Sequence, residues 1–152
     1  MVLEFAPVFF RNLNKRLIKQ PKLYVTAPLL FNQSLDNFSI QKAIDQEDIG
    51  RIYEGFVFAE IKKPISNYDL PAQSFTWRTQ DKAEVDIVLS TPKRIIPLEV
   101  KWSTRLTRRD ASGLLSFLED YPQAKRGYIV YPGETLQPIH RKIIAIPDWW
   151  LF

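Results

Sequence analysis

Four charged residues recur at period-two spacing in the middle of the chain. They are Glu84 and Asp86 in AEVDIVLS, and Glu99 and Lys101 in IIPLEVKW. A strand projects residues i and i+2 to one side, about 6.5–7 Å apart, so each pair shares a face. Between them lies STPK at 90–93, whose proline and small polar residues suit a tight turn joining two adjacent strands. Two or three carboxylates and a lysine at one end of a hairpin have the chemistry of a divalent-cation site. Hard oxygens would hold the ion, and an ammonium beside them would steady an anion or orient a water. The same alternation also describes a half-solvated strand carrying an ordinary surface ion pair. Asp86 weighs against that, because aspartate is depleted from strands and here sits inside Val-Asp-Ile-Val-Leu.

The elements that must position these groups follow from hydrophobic period. In 83–89, Val85, Ile87 and Leu89 alternate with Glu84 and Asp86, so the apolar trio is expected on one face and the acids on the other. In 96–102, Ile96, Leu98, Val100 and Trp102 leave Glu99 and Lys101 opposite. QSFTWRTQ at 73–80 reads as the preceding strand, turning back at 80–82. Arg78 near its end could hold a phosphate or neutralise the acids. Residues 47–63 form the clearest helix, expected to stop at Pro64. On a helical wheel Ile49, Ile52, Tyr53, Phe56, Val57 and Ala59 make the apolar face, with Arg51, Gly55 and Lys62 on the solvent side. Glu60 falls within that face and Glu54 at its edge. A buried carboxylate is costly unless paired or bound to a cation, so both are candidate ligands, with the wheel preferring Glu60. Downstream, a second helix capped by Thr107 or Asp110 runs to about Tyr121, RGYIVY at 126–131 reads as a buried strand, and 143–147 adds a short one. His140 reads as a surface residue.

The whole chain of 152 residues suits one domain with a real core. Its 45% apolar and 25% charged residues are those of an ordinary globular protein. The absence of cysteine excludes disulfides and thiolate zinc sites, and a single histidine leaves imidazole catalysis poorly supplied. No run of 18 apolar residues occurs, which argues against a membrane span. The opening MVLEFAPVFF lacks the basic start of a secretory signal, so a cytoplasmic protein is expected. The net charge of +4 is compatible with an anionic partner. Arg11, Lys15, Arg16, Lys19 and Lys22 crowd one stretch, while Arg105, Arg108 and Arg109 crowd another. Either is a solvated basic segment or a contact for a phosphate backbone. Residues 22–26 read as a short strand and 29–35 as a short helix. The chain thus divides into a basic and aromatic N-terminal segment, 1–46, packed on a core domain, 47–152.

Helix, antiparallel meander, crossover helix and strand give an α/β sandwich with a mixed sheet. That order, with Asp86 on the second strand and Glu99-Val100-Lys101 on the third, resembles the restriction-endonuclease-like fold of the PD-(D/E)XK nuclease superfamily. Four blocks carry a more specific resemblance across nearly the whole chain: FFRNLNKRLIKQPKLY, GRIYEGFVFAE, WRT with AEVD, and PLEVK. In this order they are similar to a domain of unknown function that forms the C-terminal part of many prokaryotic AAA+-type ATPases. The resemblance implies a nuclease-like fold with Glu54, rather than Glu60, as the helix glutamate of the site. Two departures stand out. Where relatives show Asp-Ser/Thr-Gly-Leu-Leu, this chain has VTAPLL, and no GxxxxGK[ST] nucleotide loop occurs.

Two functions are therefore expected alternatives. One is a Mg²⁺- or Mn²⁺-dependent phosphodiesterase acting on DNA. In it Asp86, Glu99 and Glu54, with Glu84 and Glu60 as further candidates, hold the metal and Lys101 steadies the reacting phosphate. Arg78, Arg105, Arg108, Arg109, Lys15 and Arg16 would grip the backbone. The other is a catalytically silent module of the same fold that binds DNA or an ATPase partner, with exposed aromatic residues near the termini as a docking patch.

Overall fold

The computed structural model describes residues 3–10, 21–26, 49–80 and 82–151. The cations Arg11, Lys15, Arg16 and Lys19, the expected helix at 29–35 and Phe152 lie outside the described residues, as does most of the 1–46 segment. Among the described residues the elements are β1 (Leu3–Ala6), β2 (Lys22–Val25), α1 (Ile49–Asn67), β3 (Gln73–Arg78), β4 (Glu84–Ser90), β5 (Ile95–Val100), α2 (Ser112–Asp120), β6 (Gly127–Tyr131), β7 (Gln137–His140) and β8 (Ile143–Pro147). Short 3₁₀ turns at Arg108–Ala111 and Asp148–Leu151 complete them.

A six-stranded mixed sheet in the order β3-β4-β5-β6-β8-β7 forms the centre. The β3-β4-β5 meander is antiparallel, β5, β6 and β8 run parallel, and β7 returns antiparallel on β8. Because side chains alternate across a sheet, the strands feed two cores. Val88 and Ile129 face one with Leu114, Phe117 and Leu118 of α2. Ile87, Leu98, Val100 and Val130 face the other with Tyr53, Val57, Phe58 and Ile61 of α1. The fold is thus mixed α/β, with one helix against each face. The β1–β2 ribbon lies beside α1, where the Tyr24 ring stacks on Phe58 at 3.9 Å with the planes 7° apart.

Three features depart from the sequence expectations. Pro64 does not end α1, which continues to Asn67. A proline deletes one main-chain bond, and the turn beyond it is held by Tyr68 N–H donating to Pro64 O at 3.1 Å. Strict alternation also fails in β4, because Phe75 pairs with Val88 but Trp77 with Val85, leaving one extra residue on β4. This β-bulge sends Val85 to the α2 core while Ile87 packs on the α1 side. The expected Val85/Ile87/Leu89 face therefore does not exist. Finally, Gly55 is not on the solvent side of α1. A Cβ there would lie 2.7 Å from the Val25 carbonyl, so its bare backbone is what lets the helix close on β2.

Candidate functional site

β2, α1 and β4 bring Lys22, Glu54, Glu84 and Asp86 together on the α1 side of the sheet. Leu98 and Val100 of β5 take that side and leave Glu99 and Lys101 on the opposite face, within electrostatic reach of Asp86. Glu84 and Asp86 lie on either side of Val85 in β4, and the bulge, which takes in Asp86, leaves both within reach of Lys22 on the ribbon. Asp86 is 9% exposed, and burial of an aspartate requires partners. Its Oδ2 accepts the Val100 N–H at 2.9 Å, which ties β4 to the end of β5 where the main-chain ladder lapses. Its Oδ1 takes the Lys22 ammonium at 3.0 Å, and its own main-chain carbonyl accepts the Tyr24 hydroxyl at 2.7 Å.

Lys22 is the hub of this side of the site. Its Nζ lies 2.6 Å from Glu54 Oε1, 3.2 Å from Glu84 Oε1 and 3.0 Å from Asp86 Oδ1. Burial alone would push its pKa down, but Asp86 and Glu54 outweigh that and hold it above the ordinary lysine value. This cation is not free for a phosphate, a correction to its place among the basic residues of the N-terminal segment. Its signal in the sequence was the i, i+2 pair Lys22 and Tyr24, a charge and an aromatic ring on one side of a short strand.

Glu99 and Lys101 form the second half. Lys101 Nζ lies 2.8 Å from Glu99 Oε1. Glu99 Oε2 is buried with no hydrogen-bond partner among the described residues. Burial and the nearby Asp86 raise the Glu99 carboxyl to about 8, against the opposing pull of Lys101. Burial opposes the charge on Lys101, yet Glu99 and then Asp86 prevail and raise its pKa, so it stays an ammonium. Burial and Asp86 likewise raise Glu54 despite Lys22. Glu84 goes the other way: burial would raise it, but the Arg78 hydrogen bonds and Lys22 bring it below the usual carboxylate value.

Of the two helix glutamates, Glu54 reaches this cluster and Glu60 does not. Glu60 pairs with Lys63 one turn along α1. The wheel preferred Glu60 because it counted Phe56 as buried and Gly55 as exposed. Phe56 is instead 40% exposed, and the buried stripe runs through Phe58 and Ile61, whose side of the helix Glu54 shares. Arg78 donates to Glu84 Oε2 through Nε at 3.2 Å and Nη2 at 2.8 Å, so it braces the acids. Arg105, Arg108 and Arg109 are exposed on the segment following Lys101. A cleft of about 490 Å³, lined by Lys22, Tyr24, Arg51, Glu54, Arg78 and Glu84 among others, opens beside the cluster.

Whether these groups suit a divalent cation rests on their chemistry. As placed, no three carboxylates converge on one point among the described residues, because the Lys22 ammonium stands between Glu54, Glu84 and Asp86. Asp86 and Glu99 nonetheless supply hard oxygens, one of them a buried oxygen lacking any donor. Burial, and then repulsion by Asp86, keep a proton on Glu99 in the absence of added positive charge. That donor set fits a hard cation.

Comparison with known proteins bears on the same residues. Residues 49–150 match the family described as Domain of unknown function (DUF4143). The chain belongs to that family. The match takes in Glu54, Asp86, Glu99 and Lys101, while Lys22 precedes it. An uncharacterized protein of Mycobacterium tuberculosis and one of Mycobacterium bovis are each 29% identical to the chain over 142 residues, 91% of its length. The chain spans only 30% of the length of these relatives. No solved structure matches. No described helix is long and apolar enough to cross a membrane.

Proposed function

We propose that this DUF4143 domain is a metal-dependent phosphodiesterase acting on DNA, with a PD-(D/E)XK-type site and restriction-endonuclease-like architecture. The observation that carries the reading is the buried, unpartnered Glu99 Oε2 beside Asp86 and Lys101. Lys101 answers only Oε1, so the second buried oxygen is left without a donor, and a cation reaching it would offset that desolvation. Asp86 and Glu99 would hold Mg²⁺ or Mn²⁺, with Glu54 in support. When bound, the ion supplies positive charge against a phosphoryl oxygen and acidifies water. Lys101, anchored by Glu99 Oε1 and kept protonated, serves as a donor that orients water or steadies charge on the phosphate; an ammonium so held is no general base. Asp86 is fixed by the Val100 N–H and by Lys22, so its free lone pairs point where the local network leaves them. Arg105, Arg108 and Arg109 lie close along the chain to Lys101 and suit contacts to the phosphate backbone without reading bases. The matched relatives are much longer than this chain, which leaves room for an AAA+-type ATPase as a covalent or separate partner.

One observation favours a second reading, the silent module that binds DNA or an ATPase. Lys22 already provides a cation to Glu54, Glu84 and Asp86, as a fold would that had retired its metal.

Cleavage separates the two. Supercoiled, linear duplex and single-stranded DNA are incubated with the protein in Mg²⁺ and in Mn²⁺, beside Glu99→Ala and Lys101→Ala. The proposal expects cleavage by the wild type and none by either variant, with circular dichroism unchanged. Cleavage surviving in both purified variants would sink it.

A further inference from the structure

A second concavity lies at the opposite end of the sheet from Glu99 and Lys101. The turn before β5 brings Lys93 and Arg94, and the loop before β6 brings Gln123, Lys125 and Arg126, around a pocket of about 390 Å³. β5 and β6 are parallel neighbours, so their leading loops meet at one end while Glu99 and Lys101 sit at the other. Five residues of strand, about 16 Å, separate the two sites, and no side chain is shared between them.

Its charge is uncompensated. All four cations are exposed, and no aspartate or glutamate lines the pocket. Among the described residues none of the four has an ion pair, unlike Lys22, Lys62, Lys63, Arg78 and Lys101. Four like charges around one concavity repel each other and gain nothing for the fold, so a structural purpose does not explain them. Ile96 and the half-buried Tyr128 give the same pocket an apolar wall.

We propose that this pocket binds a phosphate-bearing nucleotide, either free as a nucleoside polyphosphate or as a unit of a nucleic-acid strand. The charge selects the class: a single carboxylate would leave most of the four cations unmatched, whereas a phosphate chain presents several anionic oxygens. Two guanidinium forks match phosphate bidentately, while the lysines act as point charges. The volume falls at the lower end of small-ligand pockets, and the tyrosine ring offers a face for a base or ribose. This site is independent of the proposed cleavage site and needs no divalent metal.

Calorimetric titration in EDTA tests it, with pyrophosphate, ATP and a single-stranded oligothymidylate as probes. The variants are Arg94→Ser/Arg126→Ser and the charge-conserving Arg94→Lys/Arg126→Lys. Because both arginines are exposed and unpaired, melting temperatures are expected to match the wild type. The wild type should bind at least one probe, and the serine variant should bind it at least tenfold more weakly, since each of the two lost charge-assisted contacts is worth about a tenfold change or more. The lysine variant should fall between. Binding of ATP but not the oligomer assigns a free nucleotide, and the reverse assigns a strand. Absence of binding by every probe, or equal affinity in the wild type and the serine variant, overturns the proposal.

Discussion

Replacing Glu99 with glutamine isolates the strain that the proposed site stores. In the unfolded chain this carboxyl titrates near its ordinary value of 4.5, but in the fold burial beside Asp86 raises it to about 8. The native state therefore binds more protons than the unfolded state between those values, and stability falls as pH rises through the interval. Each unit is worth about 1.4 kcal/mol, so full ionisation of Glu99 costs the wild type roughly 3–5 kcal/mol above pH 8 relative to pH 4.5. Glutamine keeps the shape and does not titrate; only where Glu99 is ionised, toward pH 8 and above, does it give up an ion pair with Lys101, worth about 1 kcal/mol or less at a partly exposed ammonium. The variant should then equal or trail the wild type slightly at pH 5 and exceed it by about 2–3 kcal/mol at pH 8.5. For a chain of this size that is a melting temperature higher by roughly 5–10 °C. Urea unfolding at half-unit intervals from pH 4.5 to 9 in EDTA reads the difference. Parallel stability curves for the two proteins would refute the reasoning, because they would mean that Glu99 ionises as freely in the fold as out of it.

Other perturbations probe the supports. Lys22→Met removes the ammonium shared by Glu54, Glu84 and Asp86. It should lower stability by about 2–4 kcal/mol at pH 7, with the deficit shrinking at lower pH as Glu54, whose carboxyl is raised by burial and Asp86, takes up a proton. In the same variant added Mg²⁺ should raise the melting temperature more than in the wild type, since the competing cation is gone; equal shifts would show that Lys22 and the metal do not share ligands. Gly113→Ala, on α2, would place a Cβ 1.9 Å from the Glu84 carbonyl. Overpacking there should outweigh the gain in helix propensity of about 1 kcal/mol, for a net loss of about 2 kcal/mol in urea unfolding; a neutral or stabilised variant would show that α2 does not press on β4 so closely.

Much of the site could be read in the sequence because its logic is local. Asp86 inside an apolar strand, and Glu99 two residues before Lys101, announce themselves through period-two spacing, which a strand enforces whatever surrounds it. The helix–meander–helix order was equally legible from turn residues and hydrophobic period. What escaped depended on contacts distant in the chain. The bulge in β4 arises from pairing with β3, and it moved Val85 across the sheet without leaving a mark on the alternation. The buried face of α1 was misjudged at Gly55, because the burial is imposed by β2, some 30 residues earlier. Glycine inside a helix was the available signal, since it is unfavourable there without a packing reason. Lys22 was counted with its basic neighbours because charge alone does not reveal that three carboxylates wait for it. β7, with Pro138 in its middle, gave no strand pattern, being an edge strand held mainly by β8.

The claim that Asp86 and Glu99 are built to hold a cation is tested most directly by calorimetric titration of Mg²⁺ and Mn²⁺ into wild-type protein and Asp86→Asn, at pH 6.5 and pH 8.5. The proposed site predicts one binding event in the wild type and none in the variant. At pH 6.5 it also predicts release of close to one proton per ion, as the metal displaces the proton held by Glu99. No binding by the wild type at either pH, with or without DNA, or equal binding by Asp86→Asn, would contradict it.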